Sequence, residues 1–225
     1  MRRLARELDG HVGRAALSAL IFAAVVLLSG CKIATMRPLD PVTGQVIIEQ
    51  QTFSAAEYVA QRWESQVIPY AREHAVPLDL LLYGLNTDRA ATEERYGVRE
   101  GTNAWNFLVT GKGTVREVDT SSLMGLMHMD IANLPSDTTI SLQIGPVIRG
   151  TALRDALPFI DFDQFTNQIE FASVSNELHK RVRDDVLANF DKETAVGKTV
   201  TFWGAFTLDN LSNIVITPVI LEVGE

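Results

Sequence analysis

The chain has 225 residues, 46% of them apolar, which is enough to bury a sizeable core in one compact domain with extra elements or in two small domains. Its 28 acidic residues outnumber its 20 basic ones. The first thirty residues hold four arginines against Glu7 and Asp9, so the remainder carries 16 basic and 26 acidic residues, a balance of −10. Such a field repels phosphate backbones, which argues against nucleic acid as a partner, and a single cysteine excludes an intramolecular disulfide.

Residues 15–28 form an almost unbroken apolar run behind an arginine-bearing stretch, the pattern of an export signal. As a helix the run reaches only about 21 Å, short of the ~30 Å that a membrane-spanning helix must cross, so cleavage is favoured over a permanent span. The run ends in Leu28-Ser29-Gly30-Cys31, which resembles the lipobox of bacterial lipoproteins. On that reading residues 1–30 are a signal peptide, Cys31 becomes the acylated first residue, and the membrane is a partner through that lipid. Two or three acyl chains hold a protein at a bilayer where one binds only reversibly. The alternative is an uncleaved anchor in which Cys31 is merely a small residue. Lys32 after the cysteine leaves the inner and outer membranes both open.

Residues 31–52 contain Pro38, Pro41 and Gly44 and show no sustained period, so they read as a tether with one short strand at Val46, Ile47 and Ile48. Residues 53–100 read as a helical segment. Ser54 with Glu57 three places on is a capping-box signature, and Val59, Trp63 and Val67 recur at helical spacing. Pro69 should kink or end that helix. Leu78, Leu81, Leu82 and Leu85 mark a second helix, and residues 88–96 a third that stops at Gly97.

After Gly101 the composition turns to Val, Thr, Ile and Phe with glycine breaks, and strands are expected at 105–119, 123–131 and 138–144. A short helix capped by Thr151 and a longer one from Ser173 or Ser175 to Phe190 follow, then strands at 199–208 and 214–223. Pro218 makes the last of these an edge strand or a bulged one. Three strands, a helical insertion and two more strands is the order of an OB-type barrel. The expected fold is therefore α+β: an OB-like five-stranded β-barrel over 101–225 with inserted helices at about 151–191, preceded by the helical N-terminal segment.

The stretch LQIGPVIRGTALRDALPF at 142–159, running into FTNQIEFA at 165–172, resembles the core motif of the domain-of-unknown-function 2291 family of predicted periplasmic lipoproteins. NF at 106–107, VDTSS at 118–122, GAFT at 204–207 and ITPV at 216–219 extend the likeness from about Phe53 to the C-terminus. The resemblance implies an exported or lipid-anchored protein on the periplasmic side of the cell envelope and an OB-like barrel. It also implies a gene setting beside sugar ABC transporters of the ribose type, whose components become candidate partners. It carries no catalytic residue across, because the family defines none.

The residues themselves offer little chemistry. His74, His128 and His179 lie far apart, so no metal set is assigned. No Gly-x-Ser-x-Gly elbow or phosphate-binding loop occurs, and no cofactor or catalytic residue is expected. The segment 145–167 is the best candidate for ligand or partner contact. Arg149 and Arg154 flank a helix start at Thr151, and Asn167 closes the segment; two guanidinium groups and backbone amides there suit a carboxylate, a phosphate or sugar hydroxyls. The bland reading is a tight turn at Gly145, Pro146 and Gly150, with Thr151 as a cap and Arg154 paired to Asp155 or Asp161. Trp105, Trp203 and Phe206 read as barrel core. The leading expectation is a non-enzymatic, lipid-anchored accessory or binding protein associated with a sugar ABC transporter. An envelope enzyme using Asp161, Asp163 and Glu170, and a structural spacer, are the alternatives.

Overall fold

The computed structural model of the chain describes residues 53–224. The export signal, Cys31, the tether and its expected strand at Val46 to Ile48 lie outside the described residues.

Helix α1 (Ala55–Arg62) starts where the capping pattern places it: the Glu57 N–H donates to Ser54 Oγ at 3.3 Å. The helix does not end at Pro69. A π-helical turn, Trp63–Val67, intervenes, and α2 (Ile68–His74) continues with the proline in its first turn. The Ile68 N–H reaches back five residues to the Trp63 carbonyl. Near a helix start proline's missing N–H leaves nothing unsatisfied, so the residue expected to break the helix is accommodated by the wide turn before it.

Helix α3 (Leu78–Thr87) buries Leu78, Leu81, Leu82 and Leu85, each stabilising the fold by roughly 2 kcal/mol. Helix α4 (Arg89–Tyr96) is capped by Asp88, which accepts from the Ala91 N–H. Two-residue strands, β1 (Val76–Pro77) and β2 (Gly97–Val98), flank this helix pair and both hydrogen-bond to the long strand β3 (Asn106–Asp119). They tie the helical segment to the barrel.

The barrel comprises β3, β4 (Leu126–Asp130), β5 (Thr139–Gln143), β6 (Thr199–Thr207) and β7 (Asn213–Val223). The neighbours run β3-β4-β5-β7-β6, and β6 closes on β3 from Asn106↔Thr207 to Thr114↔Thr199. Only β5 and β7 are parallel within this ring. Strand β3 serves two partners by bending at a bulge between Val115 and Glu117. A second irregularity sets Gly204 opposite Pro218 but Trp203 opposite Ile220, leaving Val219 as the extra residue, so Pro218 sits at a bulge. Inside, Phe107 and Phe206 stack at 5.5 Å with Phe202, Met127, Ile140 and Leu142 fully buried around them. Gly111 makes room for this packing, since a Cβ there would meet the Phe202 ring at 2.7 Å.

Between β5 and β6 lie α5 (Ala152–Asp155), a 3-10 turn (Phe162–Gln164) and α6 (Gln168–Arg181), which runs on into a second π-helical turn, Val182–Leu187. Helix α6 begins at Gln168, earlier than the serines expected from periodicity. The apolar count there is misleading, because Ile169 is 81% exposed while Phe171, two residues on and on the opposite face, is buried. Phe53 and Tyr58 pack edge-on and tilted against Phe165, which in turn meets Phe171 at 5.4 Å. This aromatic group fastens α1 to the insertion.

Candidate functional site

Two polar clefts border the segment 145–167. The larger, about 800 Å³, lies between the loop at 99–103, the first residue of β3, and the wall formed by α5 and the first turn of α6. Its floor is Asn106, a buried amide whose Oδ1 accepts from Thr207 Oγ1 at 2.6 Å and whose Nδ2 donates to the Ala104 carbonyl at 3.2 Å. Asn103 and Gln168 add amides, Glu100 and Asp161 add carboxylates, and the rings of Phe162 and Phe171 meet edge to face at 5.4 Å on one side. Arg99 lies with its guanidinium 4.1 Å from the Trp105 ring centroid.

Arg154 is in this wall, and its hydrogen-bonding capacity is largely taken up. Its Nε and Nη2 both lie 2.7 Å from Asp155 Oδ1, its Nη1 donates to the Phe171 carbonyl at 3.2 Å, and its guanidinium covers the Phe171 ring at 3.6 Å. Thr151 completes the staple: its hydroxyl donates to Asp155 Oδ2 at 2.5 Å. It makes no side-chain cap to α5, so its expected capping role is replaced by holding the carboxylate that holds Arg154.

Arg149 borders a different cleft, of about 380 Å³, with Gln143, Thr217, Asp209, Asn210 and Asn213. The Gln143 amide clamps the Arg149 backbone from both sides, accepting from its N–H at 2.8 Å and donating to its carbonyl at 3.0 Å, while the same Nε2 reaches Thr217 Oγ1. The fold therefore does not bring the two arginines to one anion site at the start of α5. Asn167 caps α6, its Oδ1 accepting from the N–H groups of Ile169 and Glu170 at 3.0 Å each, and it borders neither cleft.

Of the acidic residues weighed for catalysis, only Asp161 borders the larger cleft, and its Oδ1 also accepts from the Asp163 N–H. Asp163 is exposed, and Glu170 accepts from the Thr166 N–H at 2.9 Å. His128 pairs with Ser141 at 2.8 Å, and His74 stacks on Tyr70. His179, on the inner side of α6, is held below the usual histidine pKa by burial first, then by the charges of Arg183 and Arg154; the hydrogen bond its ring donates to the Gly150 carbonyl opposes them. It is neutral at pH 7. Among the described residues no group of three or more His, Cys, Asp or Glu side chains is placed to hold a metal.

The cleft wall at 99–106 is what sequence reasoning missed. It read as a break between helical and strand textures; the pairing of β2 with β3 closes it into a loop, and the cleft's other wall comes from residues some fifty positions later. The polar run Arg99-Glu100-Gly101-Thr102-Asn103 was its one local signal.

A family model described as predicted periplasmic lipoprotein (DUF2291) matches residues 21–222. The chain belongs to this family. As a predicted periplasmic lipoprotein it is a lipid-anchored protein of the cell envelope, and the match takes in Cys31. No curated protein matches the chain. Among solved structures, it resembles an OB-fold protein from Thermotoga maritima with a TM-score of 0.61 at 20% identity, over 77% of this chain and 100% of the other. That likeness is one of fold, and it agrees with the closed five-strand ring of the DUF2291 barrel.

Proposed function

We propose that this lipoprotein is a non-catalytic accessory of sugar uptake, anchored by lipid on Cys31, which takes a small polyhydroxylated ligand in the larger cleft and acts beside a sugar ABC transporter. The observation that carries the reading is the composition of that cleft. Amides and carboxylates there can exchange hydrogen bonds with hydroxyls, and the half-buried Phe162 ring offers apolar surface to the C–H side of a sugar. Arg154 has little left to offer an anion, because it already serves Asp155 and the Phe171 carbonyl. The gene setting implied by the family resemblance supports the transporter half of the reading.

The test is a thermal-unfolding series of the mature protein with ribose and related pentoses and hexoses. A ligand at a hundred times its Kd adds about 2.7 kcal/mol, a rise of several degrees in Tm for a domain of this size. Asn103→Ala and Gln168→Ala should each abolish the shift and leave the unliganded Tm in place. An unchanged Tm across the series, together with wild-type sugar uptake in a deletion strain, would defeat the proposal.

A further inference from the structure

The C-terminal half of β7 has a ladder on one side only. Its pairing with β5 ends at Leu142↔Ile216, while its pairing with β6 continues to Val200↔Val223. The Gly224 N–H donates to the Thr199 carbonyl at 2.8 Å, and antiparallel alternation then turns the backbone groups of Glu222 and Ile220 toward β6 as well. The N–H and C=O of Leu221 and Val223 face the other way. Among the described residues, no backbone partner meets them.

A cleft of about 360 Å³ runs along that open edge, and Val219, Leu221 and Val223 line it. Its opposite wall is built from both π-helical turns, through Trp63 and Glu64 of one and Asp185 and Val186 of the other. Such turns are rare and frequently mark functional sites. Two of them and the β7 bulge therefore border one groove, remote in composition from the sugar cleft and sharing no residue with it.

The groove is lined by apolar and polar side chains in about equal measure, with Ile68, Phe190 and Val219 among the apolar ones, and its charges are mostly spoken for. Arg72 pairs with Glu222 at 2.9 Å and lies over Trp203, and Asp185 pairs with Arg181 at 3.1 Å. Glu64 is exposed at the rim, and among the described residues no cation pairs with it. We propose that the free edge of β7 takes an extended segment of a protein partner as an added strand, apolar at alternate positions and basic at the position that meets Glu64. Main-chain bonds would supply the attachment and the alternate apolar side chains the selectivity.

The test uses the full mature lipoprotein in detergent with synthetic octapeptides that alternate valine or leucine with lysine and threonine, read by residue-resolved amide hydrogen exchange. Exchange at the Leu221 and Val223 amides should slow several-fold on peptide addition, and the same peptides N-methylated at every second residue should have no effect. Glu64→Lys, a change at an exposed position, should weaken the lysine-bearing peptides about two- to five-fold and favour glutamate-bearing ones. Unaltered exchange at saturating peptide, or equal binding by the N-methylated set, would overturn the proposal. So would a concentration-dependent dimer that protects the same two amides without peptide, since it would assign the edge to a second copy of the chain.

Discussion

The Arg154 guanidinium covers the ring of Phe171 at 3.6 Å and donates to that residue's own carbonyl oxygen at 3.2 Å, so one buried side chain ties α5 to α6 through both the ring and the backbone. Removing it takes a second donor from the Phe171 carbonyl, which keeps its helical bond, and leaves the Asp155 side chain with only the Thr151 hydroxyl. A fully buried pair broken in this way loses about 3–5 kcal/mol; because Asp155 keeps some contact with water, Arg154→Ala should lose nearer ~2 kcal/mol. Urea denaturation measures it. Arg154→Lys should recover less than half, since an ammonium cannot reach Asp155 and the Phe171 carbonyl together in the planar geometry that a guanidinium provides.

What the sequence made legible follows from how local each signal is. The Ser54 cap, the leucines of α3, and the five barrel strands are set by neighbours within a few positions, and they stand where alternation and spacing place them. The start of α6 was not legible, because an exposed Ile169 imitates a core position until the fold shows which face is covered. The continuation of the helix past Pro69 depends on an unusual turn rather than on a residue pattern. The candidate site was half legible: the segment 145–167 does border polar clefts, but Arg149, in the turn before α5, faces one and Arg154, within α5, the other, a matter of tertiary packing.

Asn167 was a candidate contact residue, and its geometry is that of a helix cap, with Glu170 reaching back to the Thr166 N–H from the first turn. Asn167→Ala should therefore lower stability by about 1 kcal/mol, and Asn167→Asp should be nearly neutral, because aspartate caps as well as asparagine. Sugar affinity measured on the same variants should stay at the wild-type value. A large loss of affinity in the well-folded aspartate variant would return Asn167 to the binding surface.

The buried His179 makes stability depend on pH in a stated direction. Its pKa is lower in the folded chain than in the unfolded one, where it lies near the usual value of about 6.5, so the unfolded state binds the proton more readily. Its contribution is present in full above that value and is lost as the pH falls below it, until the folded state also takes up the proton. Chemical-denaturation midpoints should therefore decline between about pH 7 and pH 5. His179→Gln should flatten that decline, although it will not remove the acid loss due to carboxylates such as Asp191, which Thr194 holds below the usual range.

The anchor is the last link between chemistry and place. Cys31 is the chain's single cysteine, so labelled palmitate incorporated in the native host can enter as an ester of a glyceryl group thioether-linked to its sulfur or, after signal cleavage, as an amide on its freed amino group. Cys31→Ala should abolish both the label and cleavage by the lipoprotein signal peptidase, leaving a longer precursor held at the membrane by its uncleaved apolar run. Replacing residues 1–30 with an ordinary cleavable export signal in the same variant should then release the chain into the soluble periplasmic fraction, because the expected acyl chains can no longer form. Persistent membrane association of that soluble-signal variant would mean that a protein partner, and not lipid alone, holds the domain at the envelope.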